Sequence, residues 1–82
     1  MKKILYFSAA WCGPCKTLGP IMESTSGQVN YQKVDVDNNP GLAAQYGIRN
    51  IPTLVLVNEN GDELKRQVGV LQQQQIIDFY NG

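Results

Sequence analysis

The chain contains no histidine, and its 82 residues include only two cysteines. Structural zinc wants four ligands of the Cys or His type, so one copy cannot build such a site. A zinc ion or iron–sulfur cluster would need two chains pooling four cysteines. An excess of charge of either sign is also missing: seven basic residues balance seven acidic ones, and the pI is 6.1. Nothing therefore builds the basic field that binding to nucleic acid or anionic lipid requires. Long apolar runs are absent too. Ile4 to Phe7 near the start spans four residues, against roughly seven to fifteen for the core of a signal peptide and eighteen for a membrane span. These absences predict a soluble, cytoplasmic protein with no nucleic-acid or membrane partner. With 43% apolar residues and no interdomain linker or repeat, residues 1–82 are expected to form one globular domain with an adequate but small core.

The elements that are present alternate. Ile4-Leu5-Tyr6-Phe7 is apolar on both alternating faces, which suits a central strand covered on two sides. A helix is predicted from Gly13 to about Ser24. Pro14 fits its first turn, and Leu18, Ile21 and Met22 carry helical spacing. Pro20 inside that helix removes the bond to the Lys16 carbonyl and is expected to kink it. Tyr31 to Val36 alternates as a strand. Asp37-Asn38-Asn39-Pro40 then supplies cap and first-turn residues for a short helix ending at Gly47. Thr53 to Val57 and Glu63 to Val68 read as a hairpin around Gly61. A closing helix follows, with Ile76, Ile77, Phe79 and Tyr80 as its apolar stripe and Gln72 to Gln75 as its wet first turn. The sheet is therefore mixed.

Both cysteines fall in Ala10-Trp11-Cys12-Gly13-Pro14-Cys15-Lys16, at the start of the first helix. As a structural staple the pair is poorly placed, because closing so short a loop constrains the unfolded chain by only about 2 kcal/mol, against nearly 5 for a loop of 100 residues. A redox couple explains the spacing better. Residues three apart share a helix face with Cβ atoms about 5–6 Å apart, so the sulfurs can join or separate with little backbone movement. At the helix N-terminus, unpaired N–H groups and the dipole favour a thiolate on Cys12, while Cys15 lies one turn in and is expected to be shielded. Lowering a thiol pKa from about 8.5 to 7 raises the thiolate fraction roughly sixteenfold at neutral pH, but reduced nucleophilicity takes back about fivefold. Specificity must then come mostly from the exposure of Cys12 and the surface around it.

The string Trp11-Cys12-Gly13-Pro14-Cys15-Lys16 resembles the active-site signature of the thioredoxin family. The likeness continues through Asp37-Asn38-Asn39-Pro40-Gly41, Tyr46-Gly47-Ile48-Arg49 and Ile51-Pro52-Thr53 to Val68-Gly69, nearly the whole chain. The resemblance implies an α/β thioredoxin-like fold: a four-stranded mixed sheet in the order 2-1-3-4 with helices on both faces, lacking the family's first strand and helix. Its first two strands would be joined by a right-handed crossover. By the same resemblance Pro52 is expected to be cis and to pack opposite the cysteines, leaving the Ile51 backbone free to pair with an extended substrate. Trp11, Gly13, Pro14, Gly69 and Val70 would complete a flat, mostly apolar docking surface. Lys16 either favours the thiolate or is a solvated lysine on the polar side of the helix.

Two residues depart from the family pattern. Thioredoxins usually carry a buried acid on the strand before the motif, where this chain has Tyr6; Ser8 replaces a customary aromatic; Lys33, the acid's lysine neighbour, is retained. A phenol with an ordinary pKa near 10 is a poor base at neutral pH. Deprotonation of Cys15 would then use water, Lys33 or the leaving thiolate, and the resolving step is expected to be slower or more dependent on alkaline pH. The activity implied is thiol–disulfide exchange on disulfide-containing proteins, with no bound cofactor and a separate reductase to restore the dithiol, in a protein that acts as a monomer. A glutathione-coupled, glutaredoxin-like role and a binding module with incidental redox chemistry are the alternatives. The absent first strand would leave Tyr31 to Val36 as an exposed sheet edge.

Overall fold

The apolar runs find their partners across a single sheet. The computed structural model describes residues 1–82, which form β1 (Lys3–Ser8), α1 (Gly13–Ser24), β2 (Tyr31–Asp35), α2 (Pro40–Gln45), β3 (Thr53–Val57), β4 (Glu63–Val68) and α3 (Gln73–Asn81). The strand order is β2-β1-β3-β4, with β1 parallel to β2 and antiparallel to β3, and β3 antiparallel to β4. A parallel pair needs a crossover, and α1 supplies it. The expected order and mixed character therefore hold, and β2 is indeed an edge strand. No helix is long and apolar enough to cross a membrane.

The two central strands are buried on both faces, and their alternating side chains divide the core in two. On one face Ile4, Tyr6, Leu54 and Leu56 pack with Leu18 and Met22 of α1 and Ile76 of α3. On the other, Leu5, Phe7, Val55 and Val57 pack with Val34, and Leu42, Ala43 and Tyr46 of the α2 region cover them. Helices thus lie on both sides of the sheet. The edge strand β4 exposes Glu63, Leu64, Arg66, Gln67 and Val68, and charged side chains discourage pairing with another chain.

Local chemistry sets the ends of the elements. Helix α1 runs unbroken through Pro20. Gly47 ends the α2 segment at φ 61°, a left-handed conformation that glycine adopts without steric cost. The Gln72 N–H of α3 donates to Gln75 Oε1 at 2.8 Å. One expectation changes at α2. Asn39 stands at the cap position but its side chain makes no capping bond. Its amide instead donates to the Asp35 carbonyl at 3.0 Å, while Asp35 Oδ1 accepts from the Asp37 N–H at 2.8 Å. Asp35 ends β2 and holds the turn, while the Val36 N–H still donates to the Ser8 carbonyl of β1 at 2.9 Å.

Candidate active site

Strand β1 leads directly into the cysteine motif and fixes where α1 starts. Cys12 is the N-cap of that helix, with extended backbone (φ −87°, ψ 116°) and its sulfur 3.2 Å from the Cys15 N–H, which donates to it. This N–H is one of the donors that the first helical turn leaves without an intrahelical partner. A negative charge on Cys12 Sγ would sit where the helix presents unpaired donors and the positive end of its dipole. The Cα atoms of Cys12 and Cys15 lie 5.2 Å apart and the two sulfurs are joined as a disulfide, within the separation that such a bond requires.

The expectation of an exposed Cys12 over a shielded Cys15 is corrected for this disulfide form. Both residues are buried, 5% and 3% exposed respectively, in a small cluster with Ala9. Val36 and Ile51 pack around this cluster. The two thiols still differ in their surroundings. Cys12 Sγ lies 3.8 Å from the Ile51 carbonyl oxygen, whereas Cys15 borders a polar groove with Ser8, Lys16, Lys33 and Asp35.

Across from the cysteines, the chain enters β3 through Ile51 and Pro52, joined by a cis peptide bond. Pro52 is buried, and its carbonyl accepts from the Gly69 N–H at 2.9 Å, which ties the start of β3 to the end of β4. Gly69 has φ 100°, so a side chain there would be strained. Val70 is half-buried against the α1–α3 side of the core. Ile51 belongs to no strand and joins none of the loop backbone hydrogen bonds, and its carbonyl lies against Cys12 Sγ. Gly13 and Pro14 are exposed at the helix tip.

Trp11 is 69% exposed, which excludes burial in the core. Its ring is nevertheless held, because Nε1 donates to Asp37 Oδ2 at 2.8 Å. Asp37 is the site residue that sequence reasoning missed, since its local pattern suggests only a helix cap. Lys16 is exposed on the helix's polar side. Tyr6 is 1% exposed, and its hydroxyl donates to the Cys15 carbonyl at 3.0 Å. Lys33 is its register partner on β2 and points to the same side of the sheet. The phenol thus stands where the resemblance places an acid, yet it bonds to the backbone of the helix and not to a sulfur.

Comparison with known proteins agrees with this geometry. The family model described as Thioredoxin matches residues 1–81. A thioredoxin of Haemophilus influenzae is 42% identical over 82 residues, covering 95% of this chain and 76% of that protein. A thioredoxin of Rickettsia felis is 40% identical over 79 residues, covering 92% of this chain and 74% of its own. Among solved structures, a mutant thioredoxin from Halobacterium salinarum superposes with a TM-score of 0.88 at 36% identity, covering 98% of this chain and 72% of that one.

Proposed function

This chain is a thiol–disulfide oxidoreductase of the thioredoxin family, and on that footing we propose that Cys12 is its attacking thiol and Cys15 its resolving thiol. The Cys12 thiolate attacks a sulfur of a substrate disulfide; a Cys12–substrate bond forms, the substrate disulfide breaks, and one substrate thiolate leaves and takes up a proton. Cys15 then loses its proton and attacks Cys12 Sγ. The Cys12–Cys15 bond forms as the second substrate thiol departs, so the substrate gains two electrons and the protein dithiol is oxidised. The observation that carries this reading is the 3.2 Å contact of the Cys15 N–H with Cys12 Sγ at the helix N-terminus, which favours charge on Cys12 and none on Cys15.

The surface around Cys12 supports a protein substrate. Trp11, Gly13, Pro14, Ile51, Pro52, Gly69 and Val70 form its docking face, and the unpaired Ile51 backbone adds a strand-like contact to an extended segment. No cofactor takes part; a separate reductase restores the dithiol, and the protein works as a cytoplasmic monomer. The test is reduction of a model protein disulfide with dithiothreitol as the electron source, run beside Cys15→Ser. That variant accumulates a covalent complex through Cys12 and loses turnover. A complex that instead forms through Cys15 in Cys12→Ser, with none through Cys12, would reverse the roles.

A further inference from the structure

A groove of about 360 Å³ lies behind the cysteine motif, between α1 and the β1–β2 edge of the sheet. Ser8, Cys15 and Gly19 line its floor, and the exposed residues Lys16, Glu23 and Lys33 stand at its mouth, with Asp35 beside them. It is distinct from the face that carries Trp11 and Pro52: none of the proposed docking residues lines it. Its walls are wet, with two cations and two anions, so it is a place for water and not for an apolar ligand.

We propose that this groove gives Cys15 a solvent route of its own, through which the resolving thiol loses its proton directly to water. The inference rests on the roles assigned above to Cys12 and Cys15 and deepens them. The charged and titratable groups that face Cys15 come from three elements. On β1, Tyr6 commits its hydroxyl to the Cys15 carbonyl. On α1, Lys16 and Glu23 flank the opening, and on β2, Lys33 and Asp35 flank it from the other side, with Tyr31 further along the same face. None of them makes a hydrogen bond to the Cys15 sulfur. Cys15 is almost fully buried yet lines the groove with Ser8, a side chain too small to close its floor.

The step balances without a further reactant. The Cys15 S–H bond breaks, its proton passes to groove water and out to bulk solvent, and the electron pair left on sulfur forms the bond to Cys12 as the substrate thiolate departs. The proton that the departing thiolate takes up also comes from solvent. Lys16 and Lys33 favour the emerging charge while Glu23 and Asp35 oppose it, so groove water solvates the sulfur and no side chain has to act as the base.

Two measurements test the route on the full-length chain. In folded Cys12→Ser, iodoacetamide, small and neutral, alkylates Cys15, whereas pyrenylmaleimide is excluded, each rate being taken relative to that of the urea-unfolded chain. In the otherwise unaltered dithiol protein, 5,5′-dithiobis(2-nitrobenzoate) gives two phases of thionitrobenzoate release, the second being attack by Cys15. Ser8→Phe places an apolar ring on the groove floor. It lowers both iodoacetamide alkylation and the second phase relative to the first by about tenfold, because withdrawing solvent disfavours the charged sulfur. Equal exclusion of both alkylating reagents overturns the proposal, as does a folded Ser8→Phe protein in which neither rate moves. Should Ser8→Phe fail to fold, the comparison of reagent sizes decides alone. If the second phase is missing in the dithiol protein while Cys15 still selects reagents by size, the assigned cysteine roles fall and the solvent route stands.

Discussion

Replacing Tyr6 by phenylalanine deletes one hydroxyl from the centre of the sheet and leaves the ring in place. That hydroxyl, 3.0 Å from the Cys15 carbonyl, joins the strand before the motif to the first turn of the helix after it. The Cys15 carbonyl lies inside a helix and retains its place in the helical ladder, so the variant strands no buried acceptor. The loss is then the net value of one hydrogen bond, about 0.5–1.5 kcal/mol. For a domain of this size that lowers Tm by roughly 2–12 °C. Tyr6→Asp, the substitution that installs the family's acid, is a different perturbation. It removes a fully buried ring from the cluster with Leu18, Met22 and Leu54, at a cost of about 3–5 kcal/mol by analogy with other large aromatic truncations. Against a total stability of about 4–12 kcal/mol, estimated from chain length, that loss unfolds the variant only if the parent lies near the bottom of the range; from the middle of it about 4 kcal/mol remains. Urea titration of the parent and both variants, in the oxidised state, measures the two losses. A Tyr6→Phe loss above about 3 kcal/mol, or a Tyr6→Asp loss no greater than that of Tyr6→Phe, would refute the reasoning, because the ring and not the hydroxyl is assigned most of the energy. The pH profile of the resolving step in Tyr6→Asp therefore has meaning only where the variant is shown to be folded.

Three further expectations follow from named contacts. Cys15→Ser forms a stable mixed disulfide with a model substrate through Cys12, visible as a mass adduct that dithiothreitol removes; release without reductant would show that another group resolves it. Asp37→Ala frees the Trp11 indole from its 2.8 Å tether, which lowers indole fluorescence anisotropy and raises KM for a protein disulfide more than it lowers kcat, while global stability moves by less than about 1 kcal/mol because the contact is exposed. An unchanged anisotropy would show that the tether does not hold the ring. Tyr31 has its pKa raised above the usual tyrosine value of about 10 by burial first, then by the charge of Glu23 and by Tyr6. The folded state therefore holds this proton more tightly than the unfolded chain does. The stability it contributes is whole below pH 10 and is lost as pH rises through the raised folded value. Tyr31→Phe flattens that alkaline loss in urea titrations; the same slope in parent and variant would remove Tyr31 as its source.

What the sequence revealed and what it hid divide along a physical line. Element boundaries were legible because backbone chemistry marks them: Pro14 at a helix start, Gly47 and Gly61 at positive φ, Pro40 opening α2. The sheet order was not legible from periodicity. Ile4 to Phe7 and Thr53 to Val57 are buried on both faces, and a strand buried on both sides carries no alternation to say which neighbour lies where. The order came from the resemblance and was correct. The cap of α2 failed for another reason. Asp37, Asn38 and Asn39 all have capping side chains, and the residue that organises the turn is Asp35, inside the preceding strand.

What the sequence left open at the site shares one cause: each feature depends on where a side chain meets a distant segment. Trp11 and Asp37 are 26 positions apart, and no local pattern pairs an indole with a carboxylate at that distance. The resemblance aligned Tyr6 with the family's buried acid, but its chemistry turns on which Cys15 atom its hydroxyl reaches, and a main-chain carbonyl satisfies it as well as a thiol could. The burial of Cys12 is seen with the pair bonded, where Ile51 and Val36 pack against the cluster of the two cysteines and Ala9. On the proposed roles, reduction leaves Cys12 at the helix end, where N–H groups are ready to hold its charge, and Cys15 in the wall of the groove with Ser8. The asymmetry between the two thiols in those roles comes from their positions along α1: Cys12 at the N-cap against the Ile51 carbonyl, Cys15 inside the first turn beside the groove.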